Sequence, residues 1–82
     1  MEETRVALLG IVVENIDSAE NLNAILHQYR AHIVGRMGIP YHKKGINIIS
    51  VAVDAPNDVI STMSGRIGML DGVSIKTVYS KL

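Results

Sequence analysis

The residue types best suited to contact a ligand are concentrated in residues 33–41, where an arginine, two glycines and a proline interrupt an apolar run. The guanidinium of Arg36 can donate bidentate hydrogen bonds to a carboxylate or a phosphate. Gly35 and Gly38 lie on either side of it, and glycine within a strand marks a bulge or a close approach of the backbone. With Met37, these residues form the predicted contact region for an effector or a partner protein. The alternative interpretation is that Arg36 is an edge-strand charge that discourages aggregation.

Two further sets of polar residues could contribute to a site. Asn15 and Asp17 lie in the turn after the first predicted strand and could line a ligand pocket, although turn and capping hydrogen bonds also explain them. Imidazole is the commonest protein ligand for transition metals. A metal site between subunits could therefore use the three histidines, which are His27, His32 and His42. Their positions argue against a metal site within one subunit, and no cofactor is expected.

No set of residues predicts catalysis. The chain contains serine, histidine and aspartate, but their spacing does not bring a nucleophile, a base and an orienting group together on one element. It also has no glycine-rich phosphate-binding motif. The 82 residues include no cysteine, which excludes disulfides and cysteine-bound iron–sulfur clusters within this chain. Eight basic residues balance eight acidic ones without forming a basic stripe, so direct nucleic-acid binding is not expected. These features predict a protein that is not an enzyme.

The sequence also predicts a cytoplasmic protein that does not enter a membrane. Its first residues are acidic, whereas a secretory signal begins with basic residues. The longest apolar run, residues 6–13, is far shorter than the roughly 20 residues that a membrane-spanning helix needs.

Hydropathy patterning predicts four strands and two helices in a single domain over residues 1–82. The first helix should begin at a capping box formed by Asp17 and Glu20, and the second should run from an N-cap at Asn57 to about Met69. The predicted strands are residues 6–13, 33–41, 46–53 and 73–80. The first and third of these are apolar at both odd and even positions, as in central strands that are covered on both faces.

This order of elements predicts an α+β, ferredoxin-like βαββαβ sandwich, in which two helices cover one face of an antiparallel four-stranded sheet. The second and fourth strands form the edges, where Pro40 is tolerated because it cannot donate to a sheet ladder. The second face of the sheet would then expose isoleucine and valine side chains. Such a patch predicts a homo-oligomer, a dimer or a tetramer, formed through the sheet face or by pairing of edge strands.

Three segments resemble the small proteins known as iron-only hydrogenase system regulators. They are IVGRMGIPY at residues 33–41, IIS at 48–50 and SGRIGMLDGV at 64–73. Those proteins are similar to ACT-type regulatory domains and to the C-terminal, metal-sensing domain of the nickel-responsive repressor. The resemblance covers nearly the whole chain. It implies an oligomeric ACT-like domain with a role in transcriptional regulation of the iron-only hydrogenase system.

The chain departs from both of these related groups. ACT domains that bind amino acids commonly have a glycine in the turn after the first strand, and residues 14–17 contain none. The chain also lacks the His-x-His pair, the cysteine and the DNA-binding arm of the nickel repressor. The resemblance therefore implies a regulator that binds a small effector or a partner protein and has no DNA-binding domain of its own. The alternative is an interfacial metal sensor that uses its histidines.

Overall fold

The computed structural model describes residues 3–81, in which four strands form one antiparallel sheet. The strands are β1 (Arg5–Val13), β2 (Ile33–Tyr41), β3 (Ile46–Ala55) and β4 (Val73–Tyr79), and the helices are α1 (Ala19–Gln28) and α2 (Asn57–Gly68). The strand order is β2-β3-β1-β4. This arrangement confirms the ferredoxin-like fold, with β1 and β3 in the centre and β2 at an edge. Neither helix in this part of the chain is long and apolar enough to cross a membrane.

The core lies between the two helices and one face of the sheet. Alternate residues of the central strands point toward the helices and are buried, namely Ala7, Leu9, Ile11, Val13, Ile49, Val51, Val53 and Ala55. The helices contribute side chains at the spacing of one helical face, namely Leu22, Ile25, Leu26, Ile60, Met63 and Ile67. The apolar stripes of both helices therefore face the sheet.

The predicted capping box of the first helix is wrong. The side chain of Asn15 accepts a hydrogen bond from the backbone N–H of Asp17 at 3.0 Å and caps a 3-10 turn over Ile16–Ser18. α1 begins after this turn, and its N-cap Ser18 makes no side-chain capping hydrogen bond. Asp17 cannot cap the helix because the asparagine has already placed it inside the preceding turn.

The predicted N-cap of the second helix is displaced by one residue. Pro56 occupies the N-cap position, and its carbonyl accepts from the N–H groups of Val59 and Ile60 at 3.0 and 3.1 Å. Asn57 is the first helical residue instead, and its Oδ1 accepts a hydrogen bond from Arg5 at 3.4 Å. Proline can take the N-cap position because an N-cap residue does not use its own N–H in the helix.

A β-bulge at the start of β2 determines the face on which Arg36 lies. Ile33 pairs with Val53 and Gly35 pairs with Ala52, so Val34 is an extra residue in the strand. In a regular strand, residues 33 and 36 would point to opposite faces. Because of the bulge, Arg36 pairs with the buried Val51 and points to the helix side of the sheet.

Candidate functional site

The sheet face that carries no helices, here called the open face, is predominantly apolar. Register and alternation place nine apolar residues on it: Val6, Leu8, Val12, Met37, Ile39, Ile46, Ile48, Ala52 and Val78. Leu8 on the central strand β1 is 47% exposed, and Val78 opposite it is 65% exposed. The predicted apolar face is therefore present and uncovered in the protomer.

A low row crosses the middle of the open face. Gly10 of β1 pairs with Ser50 of β3 on one side and with Lys76 of β4 on the other, and Ser50 pairs with Met37 of β2. Small residues thus occupy the centre of the row, between larger side chains in the rows above and below it. The small side chains leave a depression across the open face, into which side chains of a second sheet could pack.

On its other side, β2 borders a cleft against α1, here called the β2 cleft. Its volume is about 250 Å³. Val13, Leu22 and Ile49 form its apolar wall, while Asn23 and Arg36 stand at its polar edge. Gly38 also lines the cleft, and a Cβ added there would come no closer than 3.9 Å to Ile49 Cγ1. The absence of a side chain at Gly38 thus leaves room for a ligand.

A second cleft of about 330 Å³, here called the arginine cleft, adjoins the first and shares Asn23 and Arg36 with it. Arg36 Nη2 donates to Asn23 Oδ1 at 3.1 Å. Arg30 and His27 line the same cleft, and Arg30 Nη1 donates to the His27 carbonyl at 2.9 Å. Neither cleft has a carboxylate in its lining. The two guanidinium groups therefore give this region an uncompensated positive charge, which suits it to bind an anion.

The predicted contact region is divided between the two faces of the sheet. Arg36 and Gly38 line the β2 cleft. Gly35 and Met37 instead lie in a shallow depression of the open face, where Met37 is 63% exposed. Alternation in β2 places Met37 opposite Ser50 on the open face and outside the core.

Asn15 and Asp17 lie at a junction of two turns and line neither cleft. Asn15 Nδ2 donates to Asp71 Oδ2 at 2.9 Å, and Ser18 Oγ donates to the Asp71 carbonyl at 2.6 Å. The backbone N–H of Glu14 donates to the Gly72 carbonyl at 2.7 Å. The turn before α1 is thereby bound to the turn after α2, which gives Asn15 a structural role.

Sequence reasoning did not single out Asn23 and Arg30 as site residues. Asn23, His27 and Arg30 are spaced four and three residues apart, so they fall on one flank of α1. This spacing was visible in the sequence, but nothing there showed that the flank would face β2. The bulge at Val34 turns Arg36 toward this flank of α1. Asn23, Arg30 and Arg36 therefore come together only in the folded chain.

The three histidines lie in three different places. His27 lines the arginine cleft, His32 ends the 3-10 turn Arg30–His32, and His42 follows β2 in the hairpin. Within residues 3–81, no three histidine, aspartate or glutamate side chains are grouped closely enough to hold a metal ion.

We therefore expect nickel, zinc and ferrous ions to leave the melting temperature of the protein unchanged. A metal ion that bound only the folded state would raise this temperature, and residues 3–81 offer no group of ligands to hold one. Differential scanning fluorimetry with and without a chelator measures this. An increase that disappears in His42→Ala or His27→Ala would instead demonstrate a metal site formed between subunits.

The sheet order and the two helices on one face define a ferredoxin-like domain of the ACT type. Comparison with known families narrows this class. A family model described as "TM1266-like: Iron-only hydrogenase system regulator, putative" matches residues 5–77, and the chain belongs to this family. The resemblance seen in the sequence is thereby confirmed.

Solved structures agree with this assignment. The uncharacterized protein TM1266 from Thermotoga maritima is similar, with 34% sequence identity and a TM-score of 0.93 over 96% of this chain and 100% of that chain. Two structures share the fold alone. A formyltetrahydrofolate deformylase from Pseudomonas putida KT2440 has 13% identity and a TM-score of 0.64, over 89% of this chain and 28% of that chain. The divalent ion tolerance protein CutA1 from Ehrlichia chaffeensis has 14% identity and a TM-score of 0.51, over 100% of this chain and 85% of that chain.

A search of curated proteins gave no match.

Proposed function

We propose that this protein is a non-enzymatic, homo-oligomeric regulatory module of the iron-only hydrogenase system, which binds a small effector beside Arg36. It would act on transcription through a partner protein, since its eight basic residues balance eight acidic ones and form no basic stripe for nucleic acid. The observation that carries the proposal is the open face, because an uncovered apolar surface of this extent is characteristic of an interaction site.

The open face is large enough to form a specific interface. Four strands about 4.8 Å apart, each about nine residues long at about 3.3 Å per residue, give a surface of roughly 550 Å². Two such surfaces packed together would remove roughly 1,100 Å² from water, which reaches the limit of about 1,000 Å² for a specific interface. A second copy of the chain is the natural partner, since the same apolar face is then covered on both molecules.

Pairing of edge strands is the less suitable route to assembly. In β2, the bulge at Val34 disrupts the ladder, and Pro40 has no N–H to donate. Edge pairing would also leave the open face exposed to water. We therefore favour face-to-face packing of two sheets.

The chemistry of the two clefts supports binding without catalysis. Arg30, Arg36 and Asn23 can donate hydrogen bonds to a bound anion, and the lining contains no serine, threonine or carboxylate to act as a nucleophile or an acid. The backbone carbonyl of His27 accepts a hydrogen bond from Arg30. The lining of the arginine cleft contains no nucleophile that the His27 imidazole could activate. A ligand held there would signal its presence rather than react.

The oligomeric state of the unmodified protein tests the proposal. Sedimentation equilibrium from low to high micromolar concentration should give the mass of a dimer or a larger even assembly, because burial of the open face offsets the entropy of association. A single species with the mass of one chain at high micromolar concentration would contradict the proposal.

A further inference from the structure

We infer that the β2 cleft and the arginine cleft together bind a small organic anion with an apolar body, and that they discriminate against α-amino acids. This inference rests on the proposed effector role and specifies the chemical class of the effector. It depends on the charge, the shape and the shared border of the two clefts.

The head group of the ligand belongs between Arg30 and Arg36. Each guanidinium makes one hydrogen bond to a neutral oxygen within the protein, at the His27 carbonyl and at Asn23 Oδ1 respectively. Within residues 3–81, no carboxylate forms a hydrogen bond with either arginine. Both retain N–H donors for a carboxylate or a phosphate, which accepts from guanidinium in a planar, bidentate geometry. The formal net charge of the chain is zero, so this positive charge is a local feature.

The apolar body of the ligand belongs in the β2 cleft. Asn23 and Arg36 line both clefts, so an anionic group bound at Arg36 sits at the entrance to the apolar wall of Val13, Leu22 and Ile49. Gly38 keeps this space open, as an added Cβ would meet no atom closer than 3.9 Å. A short, branched aliphatic chain would therefore leave water for an apolar surface.

An α-ammonium group would be unfavourable at this position. It would stand next to the carboxylate and so close to two guanidinium groups of the same sign. Neither cleft supplies a carboxylate to compensate it, and Asn23 Oδ1 already accepts from Arg36. We expect leucine to bind at least about tenfold more weakly than 4-methylpentanoate, which is the same molecule without its amino group.

The test is a titration of the ¹⁵N-labelled, unmodified protein with four probes, followed by amide chemical shifts. We expect 4-methylpentanoate to give saturable shifts at Asn23, Arg36 and Gly38. Inorganic phosphate should shift Arg36 and leave Gly38 unaffected, because it has no apolar body. Leucine and 4-methylpentanamide should give far smaller shifts at equal concentration, since the first adds an ammonium group and the second removes the negative charge.

Two variants separate the roles of charge and shape. Gly38→Leu fills the β2 cleft and should weaken 4-methylpentanoate binding about tenfold while phosphate binding persists. Arg36→Gln should weaken both ligands by a similar factor. The matched controls are Gly65→Leu, at an exposed helical position with no atom within 4 Å of an added Cβ, and Lys44→Gln in the exposed hairpin. Neither control should change binding.

Two results would overturn the inference. One is leucine binding at the same amides as tightly as 4-methylpentanoate does, which would leave the effector role intact and change the ligand class. The other is a lack of saturable shifts with 4-methylpentanoate. Sedimentation of the same samples reports the oligomeric state independently, so failure of this inference is distinguishable from failure of the proposed assembly.

Discussion

Replacing Gly10 with lysine is expected to convert the proposed oligomer into folded monomers. Gly10 lies in the middle row of the open face, paired with Ser50 and Lys76 in the neighbouring strands. A Cβ added there would lie 3.8 Å from the Lys76 carbonyl oxygen, which is an ordinary contact, and the new side chain would extend into water. The fold of the isolated protomer should therefore accept the substitution.

The proposed face-to-face assembly, in contrast, should be destabilised by Gly10→Lys. Face-to-face packing would bury the new ammonium group near the centre of a predominantly apolar interface, beside Lys76, which pairs with position 10 and has the same charge. Burying an ammonium group costs several kcal/mol for each ion. The dissociation constant should rise by at least about a hundredfold, since every 1.4 kcal/mol corresponds to a factor of ten. Sedimentation equilibrium measures the change in mass, and circular dichroism verifies that the variant is folded.

Two further variants make this result interpretable. Gly65→Lys introduces the same side chain on the exposed surface of α2, where an added Cβ meets no atom within 4 Å, and it should leave the oligomer intact. Val78→Lys places a charge on the open face at a position that is 65% exposed, and it should also dissociate the oligomer. Persistence of the oligomer in both Gly10→Lys and Val78→Lys would exclude the open face and favour edge pairing.

Strand pattern and strand order could be read from the sequence because each depends on local physics. Double-sided apolar runs identified β1 and β3 as central, and Pro40 assigned β2 to an edge. These signals survive folding because the apolar character of both sets of strand residues and the missing N–H of proline are fixed by residue type.

The sequence did not determine which residues of β2 lie on each face of the sheet. A single extra residue at Val34 reverses the inside-outside alternation of everything that follows it in the strand. Gly35 indicated a bulge or a close approach, but neither its position nor its effect on Arg36 followed from composition. The site therefore depends on a register shift that tertiary pairing decides, and Asn23 and Arg30 became visible as site residues only when α1 was placed beside β2.

Helix starts were also mispredicted, for a different reason. Several residues around each helix start can accept or donate a capping hydrogen bond. Contacts distant in sequence determine which of these residues forms the cap. Asn15 closes the turn before α1 while it also bonds Asp71 after α2. The sequence shows the candidates for capping but not this long-range partner.

Replacing Gly72 with alanine is expected to cause the largest loss of stability among the glycine positions, because its turn combines a left-handed backbone with close contact. Gly72 has φ of +67°, and a Cβ there would lie 2.5 Å from Asn15 Cβ and 2.9 Å from the Asn15 backbone nitrogen. The turn would have to move, which would strain the 2.7 Å hydrogen bond from Glu14 to the Gly72 carbonyl. We expect a loss of about 3 kcal/mol in the free energy of unfolding.

Gly45→Ala is the matched comparison, since it separates backbone conformation from close contact. Gly45 has nearly the same φ, +66°, but an added Cβ would meet no atom within 4 Å. Its substitution should cost only the left-handed backbone penalty of about 1 kcal/mol. Urea unfolding measures both values, and it is done at equal protomer concentration because the proposed assembly would contribute to the apparent stability. Equal losses for the two variants would show that the contact between Gly72 and Asn15 does not hold the two turns together, and that the left-handed conformation alone explains the requirement for glycine.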